Sequence, residues 1–149
     1  MRGHLYSVDS EIKWIENTTQ KIPSDLQEFV SFHHSSVSVK MIDNTLCHMY
    51  ESLPDISPNF VYVDGPGGGP GANIRGDIHG LSFSSDRSVV GADVLLFESS
   101  APLDFFILVD GRWETCRFLR THLKGKFRHR RFVARKIETF EYVSDLMAH

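Results

Sequence analysis

A chain of 149 residues with a net charge of −3 and 41% apolar residues has the size and composition of one globular domain. Its apolar runs stop well short of the ~20 residues that cross a membrane, and Met1 to His4 lack the apolar stretch of a signal peptide. Two cysteines, Cys47 and Cys116, make neither a disulfide framework nor a four-ligand zinc site, so a reduced, cytoplasmic setting is expected.

The elements read as follows in chain order. Leu5 to Asp9 is a short strand that ends in an acid, and Ser10 is placed to cap the helix that follows, with Glu11 in its first turn. Pro23 ends that helix, and Ser24 to Glu28 reads as a short helical turn. Phe29 to His33 is a strand, and Ser35 to Ile42 is extended with alternating Val37 and Val39. Asn44 is expected to cap a helix over Thr45 to Leu53, before Pro54 and Pro58 break the chain. A strand from Phe60 to Asp64 leads into a glycine-rich loop. Asp86 to Glu98 reads as a helix with Gly91 as its weak point, and Phe105 to Asp110 as a strand buried on both faces. Trp113 to Leu123 is a helix stopped by Gly125, and Phe127 to Val133 with Ile137 to Val143 form a final strand pair, antiparallel if joined directly. Strands alternating with helices imply an α/β domain with a mostly parallel sheet.

Charge is distributed unevenly. Residues 1–116 carry 7 Lys/Arg against 16 Asp/Glu, whereas residues 117–136 carry 9 Lys/Arg and no acid. A solvated helix face followed by charge-guarded edge strands accounts for this block better than nucleic-acid binding, because the acidic remainder repels a phosphate backbone.

Three strands close on the same pair of residues: Val8-Asp9, Val63-Asp64 and Val109-Asp110. In parallel α/β sheets ligands bind at the carboxyl ends of strands, so three aspartates there suggest an acidic rim. Gly65 and Gly111 follow two of them and permit sharp turns. The run Gly67-Gly68-Gly69-Pro70-Gly71-Ala72 matches the spacing of a dinucleotide-binding turn. Pro66 and Pro70 remove backbone donors and no helical pattern follows, so residues 65–85 read as a flexible loop or lid and Asp64 as the functional element.

Tyr62-Val63-Asp64-Gly65-Pro66, Leu108-Val109-Asp110-Gly111-Arg112, Arg117-Phe118-Leu119-Arg120 and Glu138-Thr139-Phe140-Glu141-Tyr142 together resemble class I S-adenosylmethionine-dependent methyltransferases, across about residues 4–143. The resemblance implies a Rossmann-like sheet with helices on both faces. It assigns Asp9, with Ser10, to the ribose of S-adenosylmethionine, and Asp64 with Gly65 to the neighbourhood of the methyl donor. Asp64, Asp110 and Arg112 would serve a small-molecule or sugar-type acceptor, as orienting groups or general base. In some such enzymes acids at these strand ends hold a divalent metal, but no clear third ligand is present here, and His79, the one candidate, reads better as an unliganded loop histidine. Relative to that family, the first strand and its glycine-rich turn are missing before Leu5, so a single truncated domain over 1–149 is expected. The competing reading is a non-catalytic remnant or subunit that acts through homo-oligomerisation or through a partner that completes the sheet.

Overall fold

The computed structural model describes residues 3–65, 74–75 and 90–143. Strand β1 (Leu5–Asp9) runs into helix α1 (Ile12–Thr19) and returns as β2 (Val30–His34), which lies parallel to β1 from Leu5↔Val30 to Asp9↔His34. The backbone continues through Ser35 and Ser36 into β3 (Val37–Ile42), which reverses into β4 (Thr45–Tyr50). Asp43 (φ 42°) and Asn44 (φ 61°) are both left-handed, the conformation a two-residue hairpin turn needs. Downstream come β5 (Phe60–Val63), β6 (Ile74–Arg75), β7 (Val90–Gly91), helix α2 (Val94–Phe97), β8 (Phe106–Asp110), helix α3 (Trp113–His122), β9 (Phe127–Phe132) and β10 (Ile137–Tyr142).

Among the described residues these strands build three small sheets. One is the β1-β2 pair, one has the order β6-β3-β4-β7, and one has the order β5-β8-β10-β9. The last is mixed: β5 and β8 are parallel, while β10 runs antiparallel to both β8 and β9. The main core lies between this sheet, α2, α3 and one face of β4. It contains Cys47, Met49, Val63, Val94, Phe105, Ile107, Val109, Cys116, Phe118, Leu119 and Phe140. Glu98 closes the end of α3, its Oε1 accepting from the backbone N–H of Lys124 (2.5 Å) and Gly125 (2.6 Å).

This architecture corrects the expected Rossmann-like, mostly parallel sheet with helices on both faces. The sheets are small and mixed, and the described residues hold three short α-helices. The physical reason is clearest at residues 43–50. The expected helix there is strand β4, because a left-handed turn at Asp43-Asn44 folds the chain straight back on β3. A two-residue reversal makes an antiparallel pair, whereas a parallel pair needs a long crossover. The expected helix over 86–98 is also corrected. Its first four positions lie outside the described residues, Val90–Gly91 pairs in parallel with β4, and helix begins only at Val94. The Gly91 N–H donates to the buried Thr115 hydroxyl at 3.1 Å. Gly125 sits beyond the end of α3 without a left-handed φ. A Cβ there would come within 2.8 Å of the Tyr142 ring, so close packing is what requires glycine at that position.

No helix among the described residues is long and apolar enough to cross a membrane.

Candidate functional site at the strand ends

Val63 and Val109 are direct neighbours in the parallel β5-β8 pair, so Asp64 and Asp110 follow side by side at the carboxyl ends of both strands. Asp110 accepts a hydrogen bond on Oδ2 from the Tyr62 hydroxyl at 3.1 Å. The Asp64 side chain is exposed, and its backbone carbonyl accepts from the Arg112 guanidinium. Arg112 reaches this position because Gly111 turns the chain with φ 62° and donates its N–H to the Lys136 carbonyl at 2.7 Å, just ahead of α3.

Asp9 approaches from the other side. Its Oδ1 accepts the Glu11 N–H at 2.9 Å, a local turn that starts α1 at Ile12. This is an Asx turn ahead of the helix, and no side chain caps α1, whose N-cap residue is Glu11. Ser10 makes no capping bond with its side chain, and its carbonyl accepts from His34 Nε2 at 3.1 Å.

Tyr50, at the end of β4, joins the two sides. Its hydroxyl donates to the Val8 carbonyl at 3.3 Å and lies 3.5 Å from where a Cβ on Gly65 would stand. Burial first, then the negative charges of Asp9 and Asp93, push its phenol up to about 12, against the pull of Arg112. Tyr62 is also held above the ordinary phenol value, by desolvation first and then by its hydrogen bond to Asp110 and the charges of Asp64 and Asp110. Arg112 pulls in the opposite direction on Tyr62 too, which puts the guanidinium within electrostatic reach of both phenols. Both phenols therefore stay protonated near neutral pH, as donors rather than bases. Beside these donors, Asp64 and Asp110 supply hydrogen-bond-accepting oxygens at the strand ends.

Four predicted residues, Asp64, Gly65, Asp110 and Arg112, thus stand together, and Asp9 joins them through Tyr50. Tyr50 and Tyr62 were not singled out from the sequence. Tyr50 falls in the helix expected over Thr45 to Leu53, and Tyr62 enters only as part of the Tyr62-Val63-Asp64-Gly65-Pro66 motif, with no role of its own. The turn pair Asp43-Asn44 is the signal that places Tyr50 on a strand.

Asp93 buttresses the site from behind. Its Oδ1 accepts the Tyr50 backbone N–H at 2.9 Å, and burial raises its carboxyl from 3.8 to about 6 despite that bond and the charge of Lys40. Neither cysteine is a nucleophile candidate. Burial holds the Cys47 thiol at about 11, and burial with the adjacent Glu138 holds Cys116 at about 12. No group of three His, Cys, Asp or Glu that could hold a metal ion occurs among the described residues. His79 and the glycine spacing at 67–72 lie outside them.

The chain matches no protein-family model, no curated protein and no solved structure.

Proposed function

We propose that the strand-end rim binds a hydroxyl-rich small molecule and that the chain is a methyltransferase-like protein. S-adenosylmethionine would be the methyl donor and a small-molecule or sugar-type compound the acceptor. The observation that carries this reading is the meeting of Asp64, Asp110 and Arg112 at the carboxyl ends of two parallel strands, with Asp9 and Tyr50 beside them.

The ribose end of the donor suits these residues. Among the described residues Asp9 engages Oδ1 alone, in its local turn, so Oδ2 is the oxygen offered to a diol. The amino-acid end of the donor has no evident cradle among the described residues, so no step is assigned there. S-adenosylmethionine supplies an electrophilic methyl group when bound. Asp64, exposed at the rim, accepts the acceptor's hydroxyl proton, and Asp110, fixed by Tyr62, orients the same hydroxyl. Arg112 keeps the Asp64 backbone in place and tempers the negative charge of the rim.

Calorimetric titration with S-adenosylhomocysteine tests the reading. Micromolar binding that weakens about tenfold in Asp9→Ala is expected, the loss of roughly one charge-assisted hydrogen bond. A folded chain that takes up no S-adenosylhomocysteine refutes the donor assignment. Equal affinity in Asp9→Ala refutes the ribose role.

A second reading, a non-catalytic subunit whose sheet is completed by a partner, draws on the β1-β2 pair. Two strands alone make a marginal sheet, α1 buries none of its residues, and Trp14 and Leu5 are exposed.

A further inference from the structure

The four-stranded sheet has two unlike faces. One carries the core. The other presents three rows of four side chains, given by the strand register in the order β5, β8, β10, β9. These rows are Phe60, Phe106, Glu141, Arg128; then Tyr62, Leu108, Thr139, Arg130; then Asp64, Asp110, Ile137, Phe132. No described helix packs on this second face. Phe60 and Tyr62 are each 52% exposed and Phe132 43%, and Phe60 stacks on Phe106 with ring centroids 6.0 Å apart. Exposed aromatics grouped on one sheet face mark a contact surface rather than ordinary scatter.

The charges on that face are sorted. Arg128 is paired internally with Glu141 at 3.4 Å. That leaves Arg130 on the β9 edge and the two carboxylates of Asp64 and Asp110 on the opposite side. Single-stranded nucleic acid could stack on such aromatics, but Asp64 and Asp110 stand on the β5-β8 side beside Phe60 and Tyr62, and carboxylates there repel phosphates.

From this sorting we propose that the face is an isologous interface with a second copy of this chain. A two-fold axis parallel to the strands lays β9 of each copy over β5 of the other. It brings Arg130 over the other copy's Tyr62 and one row, two residues, from its Asp64, as a cation–π contact and an ion pair made twice. The β5-over-β5 alternative, with its axis across the middle row, sets Arg130 against Arg130. Strand spacing and rise give a flat face of about 400 Å² per copy, below the ~800 Å² of a standard interface, so the dimer is weak, with a dissociation constant of tens of micromolar or more. This inference uses the sheet face alone and does not depend on the methyltransferase reading.

Sedimentation velocity of the full chain, from micromolar to several hundred micromolar, tests it with three exposed-site variants whose folding is checked by circular dichroism. Arg130→Glu and Asp64→Arg each weaken self-association about tenfold, and an equimolar mixture of the two recovers most of it, because both ion pairs form in the mixed dimer and only one cation–π contact is missing. Phe60→Ser weakens it without changing charge. A chain that stays monomeric throughout the range overturns the proposal, and so does a dimer indifferent to all three changes. A mixture that fails to recover overturns the paired arrangement. Tight binding of a labelled single-stranded oligonucleotide that Phe60→Ser abolishes, without self-association, would replace the second copy with nucleic acid as the occupant.

Discussion

Replacing Asp93 by asparagine isolates the cost of a buried charge behind the site. Burial raises the Asp93 carboxyl from 3.8 to about 6, so the folded protein holds a proton that the unfolded chain has already lost between those values. Bound protons in the folded state exceed those in the unfolded state there, and stability falls as pH rises through that window. A difference of about two pH units, at about 1.4 kcal/mol each, makes the charge cost about 3 kcal/mol by neutral pH. Asparagine is nearly isosteric, carries no charge at any of these values, and keeps an oxygen for the Tyr50 N–H. Asp93→Asn is therefore expected to match the wild type near pH 4 and to exceed its unfolding free energy by about 2–3 kcal/mol near pH 7. Urea denaturation at several pH values across this range measures both curves. Parallel curves would refute the reasoning, since they would mean that Asp93 titrates alike in the folded and unfolded chain.

Two further substitutions probe the packing that holds the site. His48 is fully buried on β4, neither ring nitrogen has a hydrogen-bond partner among the described residues, and burial lowers its basicity from 6.5. The unfolded chain then binds the extra proton below its ordinary value, so His48 makes stability fall as pH drops below about 6.5. His48→Leu should raise stability at neutral pH by about 1 kcal/mol and remove that acid-side loss. A lower melting temperature at pH 7 in His48→Leu would show that the imidazole has partners that matter. Gly125→Ala pushes a methyl group into the Tyr142 ring and should cost about 1 kcal/mol, the ring being able to give slightly. An unchanged denaturation midpoint would show that the contact has slack.

Much of the local structure could be read from residue pattern. Apolar segments ending in Val-Asp form β1, β5 and β8, the stretch from Trp113 forms α3, and the last two strands pair antiparallel. The grouping into sheets could not be read, because strand order depends on contacts such as Tyr62↔Leu108, 46 residues apart, that periodicity does not encode. The error at Thr45 to Tyr50 has a specific origin. Leu46, Cys47, Met49 and Tyr50 fit a helix face as well as a strand buried on both sides, and only the turn chemistry of Asp43-Asn44 separates the two. The acidic rim was legible for the same reason that its tyrosines were not. An aspartate closing an apolar run interrupts the pattern, whereas an aromatic within a strand continues it. The expected Ser10 cap is absent because α1 begins at Ile12 with Glu11 as its N-cap residue, one position later than that cap requires.

The position of β10 bears on how the protein can be made. It lies between β8 and β9 in space, yet it is the last of the four strands in its sheet to be synthesised. Until residues 137–142 emerge, β9 has no neighbour in this sheet and β8 leaves one row of backbone donors and acceptors unanswered. Phe105, Ile107 and Val109 would meanwhile lack Phe140 among their core partners. The nascent chain therefore carries a sticky, half-built sheet from the making of β8 until β10 is added, the interval in which a chaperone or a like chain could capture it.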